Sequence, residues 1–132
     1  MTDNFITALN DLGFDSFNGK HFFDFSRQRQ DNTEIAVTLF RDERAGVLRI
    51  SAFTTNKLPA AVSHRFFMHF AHVALEPMRG GIGVGVPENQ DHLCVFFNLP
   101  IANYLPGSSV LVLEKLIEQV ERWDELLPFA GG

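Results

Sequence analysis

Three histidines, His64, His69 and His72, lie close together in the chain and have the clearest potential to bind a metal ion. In a helix, His69 and His72 would occupy neighbouring faces one turn apart. A zinc site needs a further ligand, and neither an HExxH motif nor a paired acidic residue accompanies these histidines. Histidines in so aromatic a segment are more typical of hydrogen bonding at packed or interfacial positions. We therefore predict no metal site and no cofactor.

Glycines at positions 80, 81, 83 and 85 form a candidate phosphate-binding loop. A dinucleotide-binding loop follows a strand and opens a helix, so that the helix N-terminus meets the phosphates. Here the predicted order is reversed, because a helix precedes the glycines, a strand contains them and Pro87 ends that strand. No Gly-Lys-Ser/Thr sequence follows. The pattern instead indicates a glycine-rich turn and a closely packed strand.

Serine and cysteine side chains are the remaining candidate nucleophiles. They are Ser63, Ser108, Ser109 and Cys94. None of them lies in a GxSxG-type motif. Cys94 stands between Leu93 and Val95 in a predicted strand, which is typical of a small buried hydrophobic side chain. Because no acid/base pair accompanies these residues, we predict no catalytic residue and no enzymatic activity.

The composition predicts one globular domain that spans residues 1–132, with residues 128–132 as a flexible tail. The chain contains 14 Phe but only one Tyr and one Trp. Phenylalanine offers a large contact area without a polar group, which suits broad apolar surfaces. The net charge of −5 and the absence of a Lys/Arg cluster argue against nucleic acid and anionic membranes as partners.

Cysteine use and hydropathy predict a cytoplasmic protein. Cys94 is the only cysteine, so no intrachain disulfide forms, as expected in a reducing compartment. The first residues include acidic side chains and lack the basic and apolar pattern of a signal peptide. No run reaches the roughly 18–20 apolar residues that a membrane-spanning helix needs, so we expect no membrane insertion.

Hydrophobic periodicity and turn signals place these residues on eight elements. We expect helices at residues 3–12, 59–75 and 106–127, and strands at residues 21–26, 34–41, 47–54, 82–86 and 92–99. The last helix has an apolar stripe and an opposite, solvated row of glutamates. The order predicts an α+β fold, an α-β-β-β-α-β-β-α sandwich in which helices pack on a five-stranded, mainly antiparallel sheet.

Two segments carry more apolar surface than a small domain can bury. Residues 62–75 would form a helix that is apolar on nearly every side and must be covered all round. A second copy of the chain would provide that cover, so we predict a homodimer. The strand at residues 21–26 places phenylalanines on both faces, because successive side chains alternate. Either Phe22 packs beneath the first helix, or the strand lies at the sheet edge and offers an interaction surface.

A resemblance to a known family is carried by residues 73–104, VALEPMRGGIGVGVPENQDHLCVFFNLPIANY, and residues 113–127, LEKLIEQVERWDELL, and it covers nearly the whole chain, from Phe5 to Leu127. The family that the chain resembles is that of the class I type III secretion chaperones, also called the Tir chaperone or CesT-like family. In that family a helix is followed by a Gly-Gly step, a short strand and turn, a strand ending in Leu-Pro and a helix ending near a Trp. The middle helix departs from the family pattern, since it is rich in Phe and His where the family is rich in Leu.

This resemblance implies a non-enzymatic, homodimeric chaperone in the cytoplasm of a Gram-negative bacterium. Such a chaperone binds the N-terminal segment of a secreted effector in extended form, in hydrophobic grooves and by strand addition. The effector is thereby kept soluble and competent for secretion. On this basis we expect effector contacts at Phe5, Ile6, Leu9, Phe23 and Phe25. We expect the dimer contact at Phe66, Phe67, Phe70, Val73 and Phe97.

Two alternatives stay open at this point. A regulatory protein of the same fold would sequester a transcriptional or secretion regulator in place of an effector, and fold alone does not separate these functions. A small-ligand enzyme or metal protein would use the histidines and glycines described above. Metal analysis and a thermal-shift screen with nucleotides would detect this last class, because a bound ligand stabilises the folded state.

Overall fold

A computed structural model describes residues 3–29 and 31–131 of the chain. Its helices are α1 (Asn4–Asp11), α2 (His64–Ala74) and α3 (Ser108–Leu126). Its strands are β1 (Phe22–Gln28), β2 (Glu34–Asp42), β3 (Val47–Lys57), β4 (Gly83–Gly85) and β5 (His92–Pro100). Short 3₁₀ turns at Glu76–Arg79 and Leu127–Phe129 follow α2 and α3. The predicted α-β-β-β-α-β-β-α order is confirmed.

The five strands form one sheet in the order β1-β2-β3-β5-β4, and every neighbouring pair is antiparallel. The predicted α+β fold with a five-stranded sheet is therefore confirmed. Strand β1 forms one edge, and the three-residue strand β4 forms the other. One face of the sheet, here called the covered face, carries the core. Its fully buried side chains include Ile35, Leu39, Leu48, Ile50 and Leu93.

Helix α3 packs on the covered face through the apolar stripe that the sequence predicted. The stripe is buried and consists of Leu113, Leu116, Ile117, Val120, Trp123 and Leu127. Helix α1 packs against α3, where Ser109 Oγ donates a hydrogen bond of 2.8 Å to the carbonyl oxygen of Ala8. Helix α2 lies beside α3 and next to β4. The three helices therefore complete one core with one side of the sheet.

The opposite side of the sheet, here called the open face, remains accessible over β1 to β3. Phe22 and Phe40 are opposite each other in the β1–β2 register and are 46% and 42% exposed. Ala36 is exposed as well. This exposure shows that no described helix covers this half of the face. Phe22 therefore does not pack beneath the first helix, and of the two alternatives the structure supports an edge strand with an accessible surface.

Among the element boundaries that differ from the sequence-based expectation, two are set by single polar side chains. Helix α2 begins at His64 and not near residue 59, because Ser63 Oγ accepts a hydrogen bond from the backbone N–H of Phe66. Strand β3 continues to Lys57 because the backbone N–H groups of Thr55 and Asn56 donate to the carboxylate of Asp124 on α3. Asp124 is distant in the sequence, and Ser63 competes with Pro59 as a local start signal for the helix.

The C-terminal segment packs against the domain, whereas the sequence suggested a flexible tail at 128–132. Ala130 is buried, and its carbonyl oxygen accepts a hydrogen bond of 2.8 Å from the backbone N–H of Ser63. The reason is the apolar anchor at Leu127, which holds the chain against the core. Gly132 lies outside the described residues.

Candidate partner-binding surface

Among residues 3–29 and 31–131, one row of the backbone groups of strand β1 has no partner at the sheet edge. Before the strand, Arg41 N donates to His21 O at 2.7 Å, and after it Arg29 N donates to Thr33 O at 2.7 Å. In an antiparallel pair alternate residues bond to the neighbour, so the odd-numbered residues from 21 to 29 face β2. The even-numbered residues direct their N–H and C=O groups away from the sheet. They are Phe22, Asp24, Ser26 and Gln28.

This edge lacks the features that commonly block strand addition. Edge strands are often interrupted by proline or bulges, or carry exposed lysines. Strand β1 pairs with β2 without a register shift and contains no proline or lysine. Of its two charged side chains, Arg27 pairs with Glu114 on α3, and Asp24 accepts a hydrogen bond from the Thr38 hydroxyl. An extended segment can therefore continue the sheet here through main-chain hydrogen bonds.

An aromatic cluster lies directly beside the edge, on the covered face. The ring of Phe14 is 4.6 Å from the ring of Phe23 and 4.8 Å from that of Phe25, measured between centroids. All three side chains are only partly buried. The structure thus brings together Phe23 and Phe25, two of the predicted effector contacts. Phe14 was not among the predicted contacts. It follows Gly13, which marked the end of the first helix, and lies outside every predicted helix and strand.

Helix α1 supplies the other predicted effector contacts, and they are not equally accessible. Phe5 and Ile6 are partly buried against the core and keep some surface. Leu9 is fully buried. The expectation for Leu9 needs correction, because α1 turns this side chain inward when it packs on α3, and a partner cannot touch it while the fold is intact. The amphipathic spacing places Phe5, Ile6 and Leu9 on one side of the helix. It does not distinguish a partly exposed position at the border of the core from a fully buried one.

Helix α2 turns most of the predicted dimer residues toward its own chain. Phe66 and Phe70 lie edge-on to Trp123, with ring centroids 5.7 and 6.1 Å away. Phe66 is buried, so it is corrected from an interface residue to a core residue. Val73 and Phe97 are partly buried and line a groove between α2 and α3. Of the predicted set, Phe67 is the exposed member.

Four large apolar side chains are nonetheless exposed on α2 and just after it. Phe67 and Met68 are 53% and 52% exposed, and Leu75 and Met78 just beyond the helix are 59% and 85% exposed. Sequence reasoning named only Phe67 among these four. The 3.6-residue period could have found the others, since Phe66, Phe70 and Val73 recur at the spacing of one buried stripe and leave Met68 and Leu75 opposite. We call these four residues the α2 outer patch.

The histidines do not assemble into a metal site in residues 3–29 and 31–131. No group of three or more His, Cys, Asp or Glu side chains there has the arrangement to hold a metal ion. His69 instead packs beside Trp123, with ring centroids 5.0 Å apart. His64 and His72 are exposed on α2.

A buried carboxylate ties the end of β1 to α3. Asp124 is 5% exposed, and its Oδ2 accepts a hydrogen bond of 3.0 Å from Nη1 of Arg29. The same carboxylate accepts the N–H groups of Thr55 and Asn56. These bonds satisfy a charge that burial would otherwise penalise. They fix the C-terminal end of the open edge in position.

A second carboxylate fixes α1 against the start of α3. Asp11 Oδ2 accepts a hydrogen bond of 2.6 Å from the Tyr104 hydroxyl and one of 2.9 Å from the backbone N–H of Gly107. These two bonds hold the pKa of Asp11 below its ordinary value of 3.8. Burial and the neighbouring Asp11 raise the pKa of Tyr104.

The fold is similar to that of a chain in the crystal structure of the ExsC–ExsE complex. The TM-score is 0.67 at 17% sequence identity, and the match covers 94% of this chain and 92% of that chain. At this identity the similarity shows a shared fold. Comparisons with protein-family models and with curated proteins find no match. No helix in the described part of the chain is long and apolar enough to cross a membrane.

Proposed function

We propose that this protein is a non-enzymatic, homodimeric chaperone of type III secretion that binds the N-terminal segment of a secreted effector in extended form. Binding keeps that segment soluble and competent for export from the bacterial cytoplasm. Two similarities support the proposal. One is the sequence resemblance at residues 73–104 and 113–127, and the other is the shared fold with a chain that was crystallised in a two-protein complex.

The observation that carries the proposal is the open edge of β1 beside the aromatic cluster. The edge offers main-chain bonds at every second residue from Phe22 to Gln28. Phe14, Phe23 and Phe25 offer a partly exposed apolar surface within reach of a strand placed there. Main-chain bonds give affinity with little demand on sequence, and apolar pockets select side chains. This combination suits an extended protein segment better than a small molecule.

A proline at position 26 tests strand addition directly. The N–H of Ser26 faces outward, so Ser26→Pro removes a bond to the partner but none to β2. We expect Ser26→Pro to reduce recovery of the partner strongly in co-purification from the native bacterium, with the partner identified by mass spectrometry. Ser26→Ala keeps the N–H and serves as the matched control.

Aspartates in the aromatic cluster test the apolar half of the site. Phe23→Asp and Phe25→Asp should each abolish capture of the partner, and circular dichroism should establish that the variants remain folded. If folded Ser26→Pro and Phe25→Asp proteins capture the partner as well as wild type does, this surface is not the binding site. The identity of the captured protein decides between an export chaperone and a regulatory protein that sequesters an activator.

The homodimer in this proposal would use the α2 outer patch. The four exposed apolar side chains belong to α2 and the turn after it, and α2 packs next to β4, at the sheet edge opposite β1. Large exposed apolar patches mark interaction sites in most proteins. A contact between two copies through this patch would leave both β1 edges free for the partner.

A further inference from the structure

The open face contains a trough that the proposed strand addition does not use. Its lining includes Asp24, Glu34, Ala36, Thr38, Phe53 and His92. In the sheet register Ala36 is opposite Ser26 on β1, and the pairing of Val37 with Ala52 places Ala36 beside Phe53 on β3. Small side chains thus form a floor, and the ring of Phe53 forms an apolar wall. The trough accepts a side chain of moderate size.

The two carboxylates of the trough have no cationic partner among residues 3–29 and 31–131. Asp24 accepts a hydrogen bond of 2.7 Å from the Thr38 hydroxyl, which holds it over the open face, but neither Asp24 nor Glu34 forms an ion pair. The arginines near them are engaged elsewhere, since Arg27 pairs with Glu114 and Arg29 pairs with Asp124.

Two lysines lie at the border of the open face, and neither neutralises the two carboxylates of the trough. Lys57 is in register with His92 at the far end of β3, and Lys20 lies over the ring of Phe22 at the opposite end of the face. Neither forms an ion pair within the described part of the chain. The trough therefore has an apolar middle, at Ala36 and Phe53, between two rows of residues that carry negative charge.

A second copy of this chain is a poor occupant of the trough. The chain carries a net charge of −5, and a twofold contact through this face would set Asp24 and Glu34 against the same carboxylates of the other copy. Like charges that face each other across an interface disfavour the contact. Charge complementarity instead points to a cationic partner segment.

We infer that the trough binds a basic, alternating segment of the partner protein, with the pattern basic-x-apolar-x-basic. The row of Asp24 and the row of Glu34 are four residues apart along the ladder, or about 13 Å at 3.3 Å per residue. In an extended segment, side chains at i, i+2 and i+4 point to one side over the same span. The apolar side chain meets Ala36 and Phe53, and Lys or Arg side chains meet the two carboxylates. This inference rests on the proposed function, because it describes a second part of the same partner.

A synthetic peptide that repeats the pattern Arg-Thr-Leu-Thr-Arg is the probe, with a Glu-for-Arg peptide as its counterpart. Fluorescence anisotropy should show binding of the basic peptide that weakens as salt is added, and little binding of the acidic one. Asp24→Asn combined with Glu34→Gln should weaken binding about tenfold, as the loss of two exposed ion pairs predicts. Amide shifts of Ala36 and Phe53 in NMR spectra should report the location.

The matched control is Glu118→Gln combined with Glu125→Gln, which changes the net charge equally but on the exposed face of α3. Equal weakening by both double variants would mean general charge attraction and would overturn the inference. Self-association that disappears in the Asp24/Glu34 variant would make a second copy the occupant and would overturn it too. Unchanged capture of the natural partner by that variant defeats only this inference, whereas equal capture by Ser26→Pro and Ser26→Ala defeats only the proposed strand addition.

Discussion

Gly83 is a position where the fold requires the absence of a side chain. A Cβ atom there would lie 2.5 Å from Cγ of Pro77 and 2.7 Å from Cζ of Phe96. These distances are far inside van der Waals contact, and both neighbours are rings. The backbone of Gly83 does not adopt a positive φ, so the requirement concerns space and not conformation. The 3₁₀ turn after α2 is held against β4 at this point.

Gly83→Ala should therefore destabilise the protein by about 1–3 kcal/mol, the usual cost of overpacking. Urea unfolding followed by circular dichroism measures the change. Gly85→Ala is the matched control in the same strand, because a Cβ at Gly85 meets no atom within 4 Å. Similar losses of stability in the two variants would contradict the steric explanation.

Gly83, Leu9 and Phe66 show what local sequence patterns do not predict. The glycine-rich pattern predicted a closely packed strand, but the two rings that leave no space for a side chain at Gly83, those of Pro77 and Phe96, are placed there by the fold. Leu9 was expected to contact an effector and Phe66 was expected at the dimer contact. Their spacing identifies an apolar side of a helix, whereas burial depends on what packs there. Phe23 and Phe25 were placed together because alternation along one strand is local.

At the scale of elements, Asp11 joins the end of α1 to the beginning of α3. The bonds from Tyr104 and Gly107 favour the charged carboxylate and lower the pKa of Asp11 below 3.8. A carboxyl with a lowered pKa in the folded state adds stability above its unfolded pKa. That contribution is lost as the pH falls through the folded pKa. The junction between the helices is thus weakest in acid.

Asp11→Asn should lower stability at pH 7 and make little difference in strong acid. The difference in urea midpoint between wild type and variant should shrink as the pH falls from about 4 through the lowered pKa of Asp11. Asp15→Asn, which removes an exposed carboxylate nearby, is the control. A difference that stays constant down to pH 2, or one that grows in acid, would refute the proposed role of the charged form.

Element order was predictable, while element ends were not. Hydrophobic period and glycine or proline signals are local, and they identified all three helices and all five strands. The extension of β3 to Lys57 depends on Asp124, a residue of the last helix. The start of α2 depends on a cap at Ser63, although Pro59 gives an equally good local start signal.

At the scale of the whole molecule, the α2 outer patch and the β1 edge lie at different places in the sheet order. Helix α2 packs next to β4, whereas β1 is the opposite edge. This separation would allow the proposed self-association and the proposed partner binding to use different surfaces. It also allows each contact to be removed without the other.

Met68→Glu combined with Leu75→Glu should convert the proposed dimer to a monomer, because it places charge on the α2 outer patch. Size-exclusion chromatography with light scattering measures the mass. Leu105→Glu combined with Leu111→Glu adds the same charge at side chains that are 71% and 66% exposed outside the patch. That control should remain dimeric. A dimer that persists in the Met68/Leu75 variant would rule out this patch as the contact.

The open face was beyond sequence reasoning, because it depends on strand order and register. Alternation in β2 separates Ile35, Val37 and Leu39 from Ala36, Thr38 and Phe40, but it does not tell which set a helix covers. Local alternation likewise does not tell on which face of the sheet each charged side chain lies. The arginines of β1 and the loop after it turn toward α3, and the carboxylates of Asp24 and Glu34 remain on the other side. Only assembled strands reveal this arrangement.

The unpaired edge of β1 would also permit unwanted association when no partner segment is bound to it. Main-chain groups at Phe22, Asp24, Ser26 and Gln28 accept an extended chain of almost any sequence, including a misfolded neighbour or another β1. A cell that makes this protein without the proposed partner would therefore risk aggregation. We expect the yield of folded protein to depend on the ratio in which this chain and the proposed partner are synthesised. Co-expression should prevent aggregation losses that a lower expression temperature alone does not prevent.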